Sequence, residues 1–203
     1  MLRLSRDQAI RIVAPHAERL YQIGAAPFPL FQSTYPNVAL HSSRTRANIL
    51  YDLMVIEARK EFDGVKNTRI IDAPMGVTLI EIDEKVLIRC KKLDDEGLPS
   101  NYPTERAKDY DDGDDLPGIP PAPQRLTLGY RLNRLQTAVR DVLISNTTGG
   151  RFLYDIILDE PGDDNIVILG KSPKDKPPTS GNAEAPKRRV RIRASEEQTE
   201  IEQ

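Results

Sequence analysis

From Ser43 to Phe62 the chain contains neither Gly nor Pro, and Ala47, Leu50, Leu53, Met54, Ala58 and Phe62 fall on one helical face. The pattern predicts a long helix that lays this stripe on a core and stops at Gly64. An earlier stripe, Ala9, Ile10, Val13, Ala17, Leu20 and Tyr21, opens with Ser5-Arg6-Asp7-Gln8. That spelling is a capping box, in which the Ser side chain and a Gln three residues on close the first turn. Pro15 interrupts the run and is expected to kink or restart the helix, because it removes a backbone donor and crowds the preceding turn. Gly24 is the expected stop, and Pro27, Pro29 and Pro36 make residues 25–41 an irregular connection on this reading.

After Gly64 the period changes to two. Residues 68–72, 77–82 and 85–91 read as strands, the last two joined by a tight turn at Asp83-Glu84. Residues 104–110 suit a short helix. The stretch 111–124 is expected to be an exposed loop, because Asp and Pro both resist regular structure. Residues 125–132, 138–145 and 151–158 read as three more strands, with a hairpin turn at Asn146-Thr147-Thr148-Gly149-Gly150, and residues 166–169 add a short final one. Helices, three strands, a short helix and three or four strands make an α+β protein, its mostly antiparallel sheet backed by the 43–62 helix. The expected organisation is a helical segment at 1–42 packed on or leading into the main domain, a domain at 43–170, and a disordered charged tail at 171–203.

Composition changes this picture in three places. Trp is absent and aromatics are 5% of the chain, so the core must rest on Leu, Ile and Val. The single cysteine, Cys90, shares a strand face with Val86 and Ile88, which predicts a small buried side chain and not a redox centre. No run approaches the roughly 18 apolar residues of a membrane span, and residues 1–6 lack a secretion signal's apolar stretch, so the cytoplasm is the expected compartment.

The net charge of −2 is unevenly spread. Residues 171–203 hold eight Lys/Arg against six Asp/Glu, which leaves the rest of the chain with an acidic excess of four. That is not the concentrated basic face of a general nucleic-acid binder. Locally the tail differs: Lys187, Arg188, Arg189, Arg191 and Arg193 could neutralise phosphates as a flexible arm, or add a strand to a partner's sheet. Read blandly, they solubilise a polar tail.

Candidate chemistry is sparse. The element order resembles the core of the PD-(D/E)xK restriction-endonuclease superfamily. That resemblance implies an acid on one central strand and an acid-x-Lys triplet near the next, the carboxylates holding Mg²⁺. Asp72 and Asp83-Glu84-Lys85 match those letters, and Glu57 on the preceding helix supplies a further acid. Against this, Asp83 and Glu84 fall in the expected turn, while the following strand offers Arg89-Cys90-Lys91, an arginine where the metal needs a carboxylate. The favoured reading is therefore a non-enzymatic protein without cofactor, with the nuclease and its Mg²⁺ as the alternative.

The acidic run around Tyr110 lacks the Glu an EF-hand needs at its twelfth position, where Pro120 stands. Asp111, Asp112, Asp114 and Asp115 are instead assigned to contact with a basic protein partner. His16 and His41 lie on different elements without ligand-type neighbours, so zinc chemistry has no support.

Finally, Leu87-Ile88-Arg89-Cys90-Lys91-Lys92-Leu93-Asp94, with Asn101, Thr104, Leu116-Pro117, Leu126-Thr127-Leu128-Gly129-Tyr130 and Asp155-Ile156-Ile157-Leu158, resembles a group of bacterial and phage proteins. That group is encoded beside XRE-type repressors and ImmA/IrrE-like metallopeptidases, and has no assigned catalytic residues. The likeness covers roughly residues 43–159. It implies a setting: an accessory protein of a phage, mobile-element or stress-response regulatory module, with such a regulator or peptidase as partner.

Overall fold

The computed structural model describes residues 4–160, apart from 36, 38–39, 75, 101–103, 122–123 and 149–150. The basic cluster 187–193 and the short strand expected at 166–169 lie outside the described residues.

Helix α1 (Arg6–Val13) begins with the capping box expected of Ser5 and Gln8. Pro15 does not bend one helix but separates two. Ala14–His16 tighten into a 3₁₀ turn, and α2 (Ala17–Ala25) follows. Gly24 does not stop α2. It lies inside the helix because a Cβ there would collide with Val142 of the sheet beneath, so the glycine serves close approach and not termination. Residues 25–41 are likewise not all irregular: α3 (Pro27–Thr34) starts with Pro at its first position, where the missing N–H costs nothing. Helix α4 (Ser43–Phe62), capped by the Ser42 hydroxyl on the N–H of Thr45, buries Leu50, Met54, Ala58 and Phe62.

Six strands form one sheet in sequence order: β1 (Thr68–Ala73), β2 (Val77–Ile82), β3 (Val86–Lys92), β4 (Gln124–Leu132), β5 (Val139–Thr148) and β6 (Arg151–Leu158). Every neighbouring pair is antiparallel except β3 and β4, so the sheet is mixed. The parallel pair follows from the crossover through α5 (Glu105–Asp112), which returns the chain to the same end of the sheet. The β2–β3 connection is Asp83-Glu84-Lys85; Asp83 and Glu84 have positive φ (53° and 55°) at the centre of a tight turn closed by the Lys85 N–H on the carbonyl of Ile82 at 3.0 Å.

Period-two alternation gives the sheet two apolar faces. On one, Ile80, Ile82, Val86, Ile88, Cys90, Leu126, Leu128, Val142 and Ile144 pack beneath α1–α4 in a single large core. The N-terminal helices therefore share the core of α4 and the sheet. Each Leu or Ile buried there contributes about 1.5–3 kcal/mol. On the other face Leu79 and Leu87 meet Tyr110, Leu116 and Ile119. This second core corrects the expectation for 111–124. Asp111 and Asp112 finish α5, and the following loop is anchored by buried Leu116 and Ile119. Among the described residues, no helix is long and apolar enough to cross a membrane.

Candidate functional site

The sheet splits near its middle. Strands β2 and β3 pair from Ile82 with Val86 as far as Leu79 with Arg89, and no further. Beyond that point Thr78 and Val77 stay with β1, opposite Asp72 and Ala73. Cys90, Lys91 and Lys92 stay with β4, opposite Leu128, Gly129 and Tyr130. Tyr51 of α4 stands in the gap. Its hydroxyl accepts the N–H of Thr78 and donates to the carbonyl of Gly76, each at 3.0 Å. The phenol thus satisfies a backbone donor that a continuous β2–β3 ladder would otherwise engage.

The parted strands open a cleft of about 960 Å³. Its walls come from α4 between Ser43 and Met54, from α5, the start of β2, the end of β3, Tyr130 of β4, and Leu116 and Ile119 of the loop. Four cationic residues line it, Arg44, Arg89, Lys91 and Lys92, and among the described residues no carboxylate does. A smaller hollow of about 240 Å³, between α3, α4 and β4, shares Ser43, Ala47, Lys92 and Tyr130 with it. Tyr130 is 2% exposed, and its hydroxyl has no hydrogen-bond partner among the described residues.

Two of these cations differ in kind. Arg89 is structural. Its Nε donates to Thr127 Oγ1 (3.1 Å), a terminal nitrogen donates to Asp111 Oδ1 (2.7 Å), and its guanidinium lies 4.4 Å from the Tyr110 ring centroid. Arg125 covers the same ring at 5.4 Å, and the Tyr110 hydroxyl donates to the carbonyls of Leu87 and Leu126. Thr147 completes the knot with a hydroxyl bond to Asp111 Oδ1 at 3.0 Å. This knot ties α5 to the centre of the sheet. Lys91 is different: it is half-buried, its Nζ sits 5.6 Å from the centre of the Tyr51 ring, and no carboxylate pairs with it among the described residues. Burial, and then the charge of Arg89, hold its pKa below the ordinary lysine value.

The residues singled out from sequence fall as follows. Glu57 pairs with Lys60 on the same helix at 2.7 Å. Asp72 is exposed on β1, bound to Arg59 at 2.6 Å and to the Thr78 hydroxyl at 3.0 Å. Asp83 occupies the β2–β3 turn, and Lys85 just beyond it is exposed. Because Ile82 pairs with Thr68, the turn lies at the far end of the hairpin from Asp72, roughly 15 Å away at strand spacing. The structure does not bring these four together, and among the described residues no three His, Cys, Asp or Glu side chains are arranged to hold a metal. Asp111 departs from the partner-binding expectation, since its carboxylate is committed to Arg89 and Thr147; Asp114 and Asp115 are exposed. Cys90 is buried at 3% exposure, and burial pushes its thiol up to about 12.

Sequence reasoning missed Tyr51, Tyr130 and Arg44, since aromatic and basic residues on a helix or strand carry no signal of a gap elsewhere. Lys91 was visible only as the end of Arg89-Cys90-Lys91. No protein-family model, curated protein or solved structure matches the chain. Fold and cleft define an α+β protein with a split mixed sheet and a cleft whose charged lining, among the described residues, is cationic.

Proposed function

We propose that this protein is a non-enzymatic binding module, an accessory of a bacterial or phage regulatory or defence system that acts through contact with a regulator or peptidase. The observation that carries the non-enzymatic reading is the lining of the cleft. A PD-(D/E)xK nuclease gathers carboxylates around Mg²⁺ on two adjacent central strands and sets a lysine beside them. Here Arg89 and Lys91 stand on β3, Arg89 is neutralised by Asp111 from α5, and the cleft presents cations. A divalent metal placed there would meet positive charge on most sides. The setting and the partner class, an XRE-type regulator or an ImmA/IrrE-like peptidase, come from the resemblance of residues 43–159. The nuclease alternative would need Glu57, Asp72, Asp83 and Lys85 to converge.

Two measurements test this. Purified protein incubated with plasmid DNA or RNA and Mg²⁺ or Mn²⁺ should leave both intact. Tagged protein co-expressed with an XRE-type regulator or ImmA/IrrE-like peptidase from its own host should co-purify with one of them in stoichiometric amount. Metal-dependent cleavage abolished by both Asp72→Ala and Asp83→Ala, with the fold intact, would overturn the reading in favour of the nuclease.

A further inference from the structure

We propose that the cleft between β2 and β3 binds a mononucleotide, its phosphate held by Lys91 with Lys92, Arg44 and the first turn of α4, and its base along the apolar wall. This rests on reading the cleft as a binding site and not a hydrolytic one.

Charge is the first argument. A half-buried lysine without a carboxylate partner is costly, because burial penalises its charge and Arg89 adds repulsion. Of the other buried cations in the fold, Arg89 is paired with Asp111 and Arg131 with Asp141, while Arg125 donates to the backbone carbonyls of Asp109 and Tyr110. Lys91 is held instead against the Tyr51 ring, on the wall of a cleft where every charged residue among those described is basic. An anion entering the cleft would supply the missing countercharge.

The helix termini point the same way. Helix α4 begins at Ser43 and Arg44, both on the cleft wall, and the Ser42 cap occupies only the N–H of Thr45. The remaining first-turn N–H groups and the helix dipole favour a phosphate there. Tyr130 adds an independent sign of a ligand, a buried hydroxyl without a partner on the wall shared by the cleft and the adjoining hollow. A buried hydroxyl left unmatched is destabilising, so a polar atom of the ligand is its natural partner.

Size and wall set the class. A volume of about 960 Å³ lies at the upper end of small-molecule sites, which span about 300–1,000 Å³. Met54, Val77, Leu116 and Ile119 offer apolar surface to a flat body carried by the phosphate. An extended nucleic acid fits less well. It needs a long basic track, whereas residues 1–170 carry an acidic excess of four and Asp72 stands exposed on the β1 side of the split.

The test is titration calorimetry on the full chain without metal, using the four 5′-ribonucleoside monophosphates, the matching nucleosides, and a single-stranded DNA 12-mer. At least one monophosphate should bind one-to-one, and its nucleoside should bind at least about tenfold more weakly, the loss expected when a charged phosphate contact is removed. Lys91→Gln should weaken the monophosphate by a similar factor while Lys91→Arg keeps most of the affinity, with circular dichroism and melting reporting that both variants fold. Binding unaffected by Lys91→Gln, or no binding of any monophosphate, would overturn the proposal. So would tight binding of the 12-mer alone, which would make the surface a nucleic-acid interface. Chromatography of the titrated samples separates the two readings: intact nucleotide supports both, whereas release of phosphate or base would sink the non-enzymatic reading and leave the binding site standing.

Discussion

The hydroxyl of Tyr51 takes the place of a strand for Thr78: it accepts that residue's backbone N–H at 3.0 Å where β2 has left β3. One helix side chain thus stabilises an interruption in the sheet, and the cleft follows from the interruption. Tyr51→Phe should leave the Thr78 N–H without its acceptor and cost about 1–3 kcal/mol, read as a lower urea midpoint. The Thr78 amide should also exchange its hydrogen faster. Unchanged exchange at Thr78 would show that something other than Tyr51 holds the strands apart.

The acidic run divides by role, and its members should behave unequally. Asp111 neutralises buried Arg89, so Asp111→Asn should destabilise by about 2–3 kcal/mol, mostly the penalty of a buried guanidinium without its counter-ion. Asp114→Asn with Asp115→Asn should stay within about 0.5 kcal/mol of the parent, as exposed substitutions do. Chemical denaturation of the two variants decides the matter. Equal midpoints would mean the knot around Tyr110 contributes little.

His16 gives the fold a mild pH dependence near neutrality. Its Nδ1 is buried without a partner among the described residues, its ring lies 5.7 Å from that of Phe62, and burial followed by the charge of Arg19 lowers its pKa below 6.5, with Asp83 opposing. The unfolded chain therefore binds the proton more readily, so this contribution is complete above pH 6.5 and is lost as pH falls from 6.5 through the folded-state value. Urea midpoints between pH 5 and 7.5 should fall on acidification more steeply for the parent than for His16→Gln. Parallel curves would remove His16 as the cause.

Gly24 inverts the usual rule for helices. Alanine in a helix interior ordinarily gains up to about 1 kcal/mol over glycine, yet here the new Cβ would enter the space of Val142. Gly24→Ala should therefore destabilise, by about 1–3 kcal/mol for overpacking. Val142→Ala in the same chain should recover part of that loss relative to the sum of the single effects. Thermal melts of the two single variants and the double variant form the cycle, and strict additivity would deny the contact.

The local elements were legible in the residues themselves. A Ser and a Gln three apart are enough to start α1, a stripe every three or four residues is enough for α4, and alternation places Cys90 with Val86 and Ile88 on the buried face. These signals act over a few residues, where backbone geometry and burial dictate the pattern. They misled where a distant neighbour set the role. Gly24 looked like a stop because the sequence does not show Val142 packed against it, and Asp111 looked like surface charge because Arg89 lies 22 positions away. Leu116 and Ile119 sit in a Pro/Asp-rich stretch and were masked by it. The cleft belongs wholly to tertiary structure. It arises because β2 keeps to β1, β3 keeps to β4, and Tyr51 from a third element satisfies the backbone between them. Only the meeting of those three, far apart in the chain, turns Lys91 from one polar residue of a strand into a half-buried cation awaiting a counter-charge.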